Sequence, residues 1–248
     1  MPFFRFYAEL NDFLAPHLRG RAFPHTTSTH ATIKHAIEAL GVPHTEVGLV
    51  LLNGAPAPLG HHPMKDDDHI TVYPPFTLLR DQYADQAALR FAADAHLGRL
   101  ARMLRFAGYD TMLHSEGDDA ELVALASRES RVILTRDRDL LMHREVARGC
   151  YLRPTEPVEQ LREVVRRLGL DISDQRATRI SRCTLCNEPL RPVGHEEAAS
   201  RIPPRTLACF DAFWRCPACE RIYWKGSHWR RMREAIAMQP RASETKNW

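Results

Sequence analysis

The sequence predicts a central α/β domain with a parallel sheet, preceded by a smaller α+β domain and followed by a small metal-binding module. Three observations predict this fold class. Strand and helix patterns alternate through the middle of the chain, a strand–strand–helix–strand–strand order precedes them, and four of the six cysteines cluster near the end. Repeated strand–helix units imply parallel strands covered by helices. We therefore divide the chain into residues 1–78, 86–180 and 181–238.

The first domain is predicted from four strand patterns and one helix. Residues 3–10 alternate as a strand does, and residues 29–41 carry apolar side chains at helical spacing. Residues 46–54 form an apolar strand that ends in the turn pair Asn-Gly, and residues 66–76 form a last strand closed by two prolines. A short strand near residues 23–27 completes the order.

The central domain is predicted from four strand–helix repeats, each with an apolar strand and an amphipathic helix. The strands fall at residues 88–94, 111–114, 131–135 and 150–153, and the helices at residues 96–110, 118–130, 138–149 and 157–170.

The composition is that of an ordinary globular protein, with 44% hydrophobic and 26% charged residues. A net charge of +3 does not argue for nucleic-acid binding unless the charges are clustered. No stretch approaches the roughly 20 apolar residues of a transmembrane helix, and the start lacks the basic and apolar regions of a secretory signal. We expect a cytoplasmic protein without a membrane partner, whose cysteines stay reduced.

Two Cys-x-x-Cys pairs stand out in the last module, namely Cys183 with Cys186 and Cys216 with Cys219. Paired thiols in a reducing compartment favour a tetrahedral zinc site, and four protein ligands make that site structural. The intervening residues 187–215 exceed the usual ribbon spacing, which costs little entropy if they fold on the core. The alternative is a redox pair or a chance pattern. Unpaired Cys150 and Cys209 are expected to be buried thiols.

The residues after the second cysteine pair mix aromatic and basic side chains, among them Trp224, Lys225, Trp229, Arg230 and Arg231. This mixture is typical of surfaces that stack bases and neutralise phosphates. It is equally typical of aromatic residues packed on a zinc knuckle with a solvated basic face, and the two interpretations are compatible.

Aspartates recur where predicted parallel strands end. Asp94 follows the first strand of the central domain, Asp137 and Asp139 follow the third, and Asp119 opens the helix before it. The carboxyl ends of parallel strands lie along one edge, where ligands bind. Carboxylates gathered there would repel one another without a cation, and oxygen ligands favour Mg²⁺ or Mn²⁺. Such an ion supports phosphodiester hydrolysis.

Each aspartate taken alone is better explained as a helix N-cap, because aspartate is a preferred residue at that position. The repetition along one sheet edge is what favours a metal site. Asp110 and Asp118 fall in the same neighbourhood and are weaker candidates for it.

The segments FAADAHLGRLARMLRFAGYDT and DDAELVALASRESRVILTRDRDLL, followed by the two cysteine pairs and YWKGSHWRRM, resemble the mutator-seven C-terminal RNase family over residues 88–235. That resemblance implies a PIN-like ribonuclease fold with an appended zinc ribbon. The first 78 residues resemble the ubiquitin-like, β-grasp domain that often precedes this RNase domain in bacteria, which implies a bacterial protein.

The resemblance implies metal-dependent cleavage of RNA, with Asp94, Asp119 and Asp137 matching the acidic positions of PIN-like nucleases and Asp139 as a fourth. The ubiquitin-like domain lacks a terminal Gly-Gly, so we expect it to bind a protein partner and not to carry sulfur. Two alternatives stay open: a non-catalytic RNA-binding adaptor and a small-molecule phosphohydrolase.

Overall fold

The computed structural model describes residues 1–26, 31–60, 64–75, 89–172 and 181–237. The chain forms two compact units, the first made of Met1–Gln82 with Thr135–Tyr151, and the second of Tyr83–Leu134 with Leu152–Trp248. The predicted domain limits at residues 78, 86, 180 and 238 lie outside the described residues. Within them, no helix is long and apolar enough to cross a membrane.

The first unit is built on a mixed five-stranded sheet in the order β2–β1–β5–β3–β4. Strands β1 and β5 run parallel, and the other neighbours are antiparallel. Alternating strand residues pack against the helix α1 and form the core. The elements are β1 (Phe3–Phe6), β2 (Phe23–Pro24), α1 (Ile33–Ala39), β3 (Leu49–Leu52), β4 (Ala55–Ala57) and β5 (His69–Tyr73).

Two details of this sheet differ from the sequence prediction. The strand predicted over residues 3–10 ends at Phe6, because Ala8 takes a positive φ of 48° and starts a 3-10 helix that ends at Phe13. The predicted turn at Asn53 and Gly54 is present, with φ angles of 51° and 84°. It forms a hairpin with β4, a strand that the sequence did not suggest. Residues 29 and 30 of the predicted helix lie outside the described residues.

Residues 135–151 do not contain the helix predicted over 138–149. They form a turn, a 3-10 helix at Leu140–Met142 and the strand β9 (Gly149–Tyr151). Between residues 138 and 149, the buried side chains are Leu140, Leu141 and Val146. On an α-helix these three would point to different sides, so no single apolar stripe could form. The prediction was therefore wrong, although the strand expected at residues 150–153 is present.

The first unit holds this segment through the short 3-10 turn His44–Glu46. The Nε2 atom of His44 lies 2.8 Å from the carbonyl oxygen of Val146, and its Nδ1 atom lies 2.7 Å from Oε1 of Glu38. Both ring nitrogens of His44 thus lie at hydrogen-bond distance from an oxygen atom. The fully buried Glu46 accepts a hydrogen bond from the Tyr151 amide at 2.9 Å. Residues far apart in sequence are thereby joined.

The second unit contains three parallel strands, with β6 between β7 and β8. Helix α2 packs on β7 and α4, and α3 packs on β6. Helix α2 ends at Phe106, and the φ of 89° at Gly108 lets the Tyr109 amide return to the Leu104 carbonyl. The elements are β6 (Arg90–Asp94), α2 (Gly98–Phe106), β7 (Asp110–His114), α3 (Asp119–Arg128), β8 (Val132–Thr135) and α4 (Pro157–Leu168).

The remainder of the second unit is a three-stranded antiparallel sheet in the order β10–β11–β12. The long loop between the cysteine pairs folds into two short helices that cover a small apolar core, as its length required. The elements are β10 (Arg191–Val193), α5 (His195–Ala199), α6 (Pro204–Cys209), β11 (Phe213–Arg215), β12 (Ile222–Tyr223) and α7 (Ser227–Ala237). Cys150 is buried as expected, but Cys209 is exposed at the end of a short surface helix.

Candidate functional sites

The two cysteine pairs form nearly equivalent turns. In each turn the amide of the second cysteine points at the sulfur of the first, at 3.5 Å for Cys186 and 3.4 Å for Cys219. The residues that follow, Asn187 and Glu220, adopt positive φ angles of 71° and 61°. Their amides return to the carbonyl oxygens of the first cysteines at 3.0 Å. This repeated geometry brings the sulfurs of both turns to one point.

The sulfurs of Cys183, Cys186, Cys216 and Cys219 all lie within 4.8 Å of one another. Two of the separations, between Cys183 and Cys219 and between Cys186 and Cys216, are 3.6 Å and 3.3 Å. A tetrahedral zinc ion with bonds of about 2.3 Å requires sulfur–sulfur distances just under 4 Å. The four cysteines are thus positioned to bind a metal and are compatible with structural zinc.

The electrostatics of the cluster favour one preformed thiolate. Burial opposes ionisation of Cys183, but hydrogen bonds from the Cys186 amide, the Tyr223 hydroxyl and the Leu185 amide outweigh it and lower its pKa to about 6. Burial and the neighbouring sulfurs raise the pKa of Cys186 to about 12. A bound cation would therefore ionise the remaining thiols and release their protons.

Asp94 ends strand β6, and its register partner on β7 is His114. His114 also lies next to the start of α3, because its Nε2 atom is 3.2 Å from the carbonyl oxygen of Asp118. His114 was not predicted as a site residue, although a polar residue that ends the predicted strand 111–114 was a usable signal. The carboxyl edge of the second unit's sheet therefore combines Asp94, His114 and the first turn of α3.

At the start of α3, the neighbouring carboxylates of Asp118 and Asp119 have different roles. Asp118 is the N-cap, and its Oδ1 atom accepts a hydrogen bond from the Glu121 amide at 2.9 Å. Asp119 is the first helical residue, as predicted, and its side chain is exposed. The capping role thus belongs to Asp118, which leaves the Asp119 carboxylate outside the cap.

Asp137 and Asp139 lie in the first unit, in the turn that follows β8. The Oδ1 atom of Asp137 accepts hydrogen bonds from the amides of Asp139 at 2.8 Å and Leu140 at 3.4 Å. This is a local turn and not a helix cap. Asp139 is mostly exposed and forms an ion pair with the adjacent Arg138 at 3.3 Å. Both carboxylates are accessible to solvent.

Asp110 does not share the edge of Asp94, because it begins β7 where Asp94 ends β6. It forms an ion pair with Arg131 at 2.6 Å and accepts a hydrogen bond from Asn187 at 2.8 Å. Burial opposes its ionisation, but these contacts and Arg182 together hold the pKa of Asp110 below its usual range. Asp110 therefore joins the sheet to the cysteine module and is structural.

The four cysteines are the one set of three or more His, Cys, Asp or Glu side chains that lie within reach of a single ion, among the residues that the structure describes. The acidic candidates stand at strand ends and turns without forming such a set.

A cleft of about 240 Å³ lies near the end of the chain, and its lining includes Phe106 of α2, Tyr223, Trp224, Trp229 and Arg221. Trp229 packs at 6.2 Å from the Phe106 ring, with the cations of Lys225 and Arg233 5.4 Å and 5.5 Å from its own ring centre. Trp224 packs on the core of the antiparallel sheet and lines the same cleft.

Arg230 and Arg231 are exposed, and neither has an ion-pair partner among the described residues. Arg221 and Arg182 line the cleft itself, and Arg182 was not selected from the sequence. Exposed cations around a half-buried aromatic ring suit the phosphates and bases of a single-stranded nucleic acid.

Two family models match the chain. The model described as the Mut7-C RNAse domain matches residues 89–236, and the model described as Mut7-C ubiquitin matches residues 2–80. No curated protein and no solved structure matches the chain. The strand–helix repeats and the cysteine module fall within the first match, and the mixed sheet falls within the second. Since the first match covers more than half of the sequence, the chain belongs to the Mut7-C RNAse domain family and carries a Mut7-C ubiquitin domain before it.

Proposed function

We propose that this protein is a metal-dependent ribonuclease with a PIN-like catalytic fold that hydrolyses RNA phosphodiester bonds. The observation that carries the proposal is the position of Asp94 at the carboxyl end of a parallel strand, in a chain that belongs to an RNase family. Ligands of open parallel sheets bind at this edge, so a carboxylate there suits a metal and a phosphate.

Asp94 and Asp137 are the principal ligands in this proposal, and Asp119 and Asp139 complete the set. Bound Mg²⁺ or Mn²⁺ would activate water and stabilise the leaving oxygen. Mg²⁺ commonly takes only one or two carboxylates, with substrate phosphate and water as its other ligands. A site completed by RNA does not need three converging carboxylates beforehand. Both hydrogen bonds of the turn are accepted by the Oδ1 atom of Asp137, so in this proposal its Oδ2 atom binds the metal.

The cleft around Trp229 holds the RNA in this proposal, and the basic residues Lys225, Arg230 and Arg231 neutralise its phosphates. Stacking of a base on an aromatic ring is largely independent of sequence, which suits a nuclease that acts on single strands. Trp224 contributes through the wall that it forms with the antiparallel sheet. The four cysteines act by holding this module in shape.

The test is cleavage of single-stranded RNA with Mn²⁺ by the full chain, by Asp94→Asn and by Asp137→Asn. We expect each variant to lose at least about a hundredfold in rate, since an interaction made mainly in the transition state is removed. Asp211→Asn removes an exposed carboxylate from the cysteine module and serves as the matched control. Cleavage that survives both substitutions would contradict the site assignment.

A non-catalytic RNA-binding adaptor is the second candidate, and one observation favours it. Among the described residues, the four cysteines are the one set of side chains positioned to bind a single metal ion. An adaptor would bind RNA through the Trp229 cleft without cleaving any RNA of a broad panel in Mn²⁺. Hydrolysis of a small phosphate ester without RNA cleavage would instead indicate a phosphohydrolase.

A protein partner, if bound by the ubiquitin-like domain, would meet the sheet face opposite α1. That face carries Tyr7 stacked on Tyr73 at 4.5 Å, with the Arg5 guanidinium 4.9 Å from the Tyr7 ring centre. Aromatic residues and arginine are enriched in protein interfaces. We place the protein in the cytoplasm, where free thiols persist for metal binding.

A further inference from the structure

A polar cavity of about 430 Å³ lies in the second unit, next to the turn that follows Asp94. One wall comes from that turn and the start of α2, with His96, Arg99 and Arg102. The other wall comes from the start of α4, with Thr155, Glu156, Pro157 and Gln160. Since His96 is two residues after Asp94, the cavity and the proposed metal ligand share one short piece of chain.

The two arginines of this cavity are exposed and have no ion-pair or hydrogen-bond partner among the described residues. Other arginines of the same unit are committed to acids, such as Arg131 to Asp110 at 2.6 Å and Arg153 to Glu163 at 3.2 Å. A guanidinium presents a planar set of donors that matches a phosphate. Two such groups on one wall leave a positive charge that Glu156 only partly offsets.

The opposite wall adds a weaker contribution. Helix α4 has Pro157 at its start and no side-chain cap from Glu156, so its first amides are not satisfied by a capping residue. The buried Gln160 is held in place, because its Nε2 atom donates to the carbonyl oxygens of Pro154 and Thr155 at 3.0 Å and 3.3 Å. The wall is thus fixed in shape before a ligand arrives.

Helix α2 joins this cavity to the aromatic cleft. Arg99, Arg102 and Phe106 are spaced at i, i+3 and i+7, which places them along one face of the helix. Arg99 and Phe106 are about 10 Å apart along the helix axis. Arg99 and Arg102 line the cavity and Phe106 lines the cleft, so a single strand following this face would meet cations first and stacking residues next.

We propose that this cavity is a phosphate-binding site for the RNA substrate, with Arg99 and Arg102 as the residues that hold the phosphate. The inference rests on the proposed ribonuclease function and adds a recognition site that is separate from the acidic residues. The phosphate is either an internal backbone group or the 5′-terminal group, and both have the same tetrahedral anionic chemistry.

The test is fluorescence anisotropy with the full chain and a short single-stranded RNA that carries either a 5′-phosphate or a 5′-hydroxyl. No Mg²⁺ or Mn²⁺ is added, so binding is separated from cleavage. We expect Arg99→Gln and Arg102→Gln each to weaken binding about tenfold, the effect of one charge-assisted hydrogen bond. Each should also reduce the slope of the logarithm of the association constant against the logarithm of salt concentration, by roughly the contribution of one phosphate contact.

Two further variants give opposite and neutral controls. Glu156→Gln removes the one carboxylate of the cavity wall and should tighten binding. Arg205→Gln removes an exposed arginine from α6 in the same unit, away from the cavity, and should bind as the unchanged protein does. Arg102→Lys keeps the charge but loses the planar donor set. Its salt dependence should therefore be close to that of the unchanged protein, while its affinity for RNA stays lower.

Weakening confined to the 5′-phosphorylated RNA would identify the terminal phosphate, and equal weakening of both RNAs would identify a backbone phosphate. The proposal is overturned if Arg99→Gln and Arg102→Gln bind normally, if Arg205→Gln weakens binding as much, or if the unchanged protein binds neither RNA. Binding through the arginines without Mn²⁺-dependent cleavage would refute the nuclease proposal alone. Cleavage without dependence on the arginines would refute the cavity alone.

Discussion

The four-cysteine cluster and the acidic strand ends differ in how far the folded chain brings their side chains together. The cysteines lie in two equivalent turns with every sulfur already within 4.8 Å of the others. The acidic residues lie at a strand end, a helix start and a turn, where Asp137 also maintains its own turn. A structural site must be complete in the folded chain, whereas a catalytic site keeps positions open for substrate.

In the proposed function, this difference explains why the structure brings the cysteine ligands together but not the acidic residues. Four protein ligands define a closed site with no other participant, so the backbone alone can assemble it. An oxygen site that shares its ion with a phosphate and water is completed only when these arrive. Three experiments test this contrast, and we take them in order of expected effect.

The largest effect is expected for Cys183→Ser, because it removes a ligand from a closed site. Binding of structural zinc contributes on the order of 10 kcal/mol in small modules, so loss of one thiolate should release the metal and unfold the antiparallel sheet. Metal analysis of purified protein should show loss of zinc. Cys209→Ser, at an exposed cysteine outside the cluster, should keep it. Full zinc content in Cys183→Ser would contradict the four-ligand site.

A smaller effect is expected for Asp110→Asn, which tests an acid that serves structure and not metal. Its folded pKa is lowered, so its contribution is present above the unfolded value of about 3.9 and is lost as the pH falls through the folded pKa. We expect a loss of about 2 kcal/mol at pH 7 in urea unfolding, shrinking in acid. An equal loss at every pH would exclude the charge as its cause.

The smallest effect distinguishes Asp118 from Asp119 at the start of α3. Asp118→Ala should destabilise the protein by about 1 kcal/mol, the usual cost of losing an N-cap, and thermal unfolding should detect it. Asp119→Asn should leave stability within about 0.5 kcal/mol but raise the Mn²⁺ concentration required for cleavage. If the two substitutions exchange these effects, the carboxylate roles at this helix must be reversed.

Much of the architecture follows from local patterns in the sequence. The strands of all four repeats and the helices of three of them were predictable, because apolar periodicity and boundary residues such as Gly108 and Pro157 act within a few residues. The cysteine cluster was predictable for the same reason, since the spacing of each pair determines the turn that brings its sulfurs together.

The sequence predictions failed in segments whose structure depends on residues far away in the sequence. The segment 138–149 is helix-like in composition, but its turn is closed by Asp137 and its buried residues do not fall on one side of a helix. His114 became a site candidate only through its register with Asp94, and Asp110 was separated from that edge by the same register. Exposure of Cys209 likewise depends on how the long loop packs. None of these relations is visible in short-range spacing.

The contacts of His44 and Glu46 with residues 146 and 151 bear on how such a chain can evolve. The two family matches divide the sequence into adjacent, non-overlapping parts, yet a piece of the second part completes the packing of the first. A recombination event that replaced the N-terminal domain would leave the Val146 carbonyl and the Tyr151 amide without their partners. A replacement domain would have to supply an equivalent donor to the Val146 carbonyl and an equivalent acceptor for the Tyr151 amide.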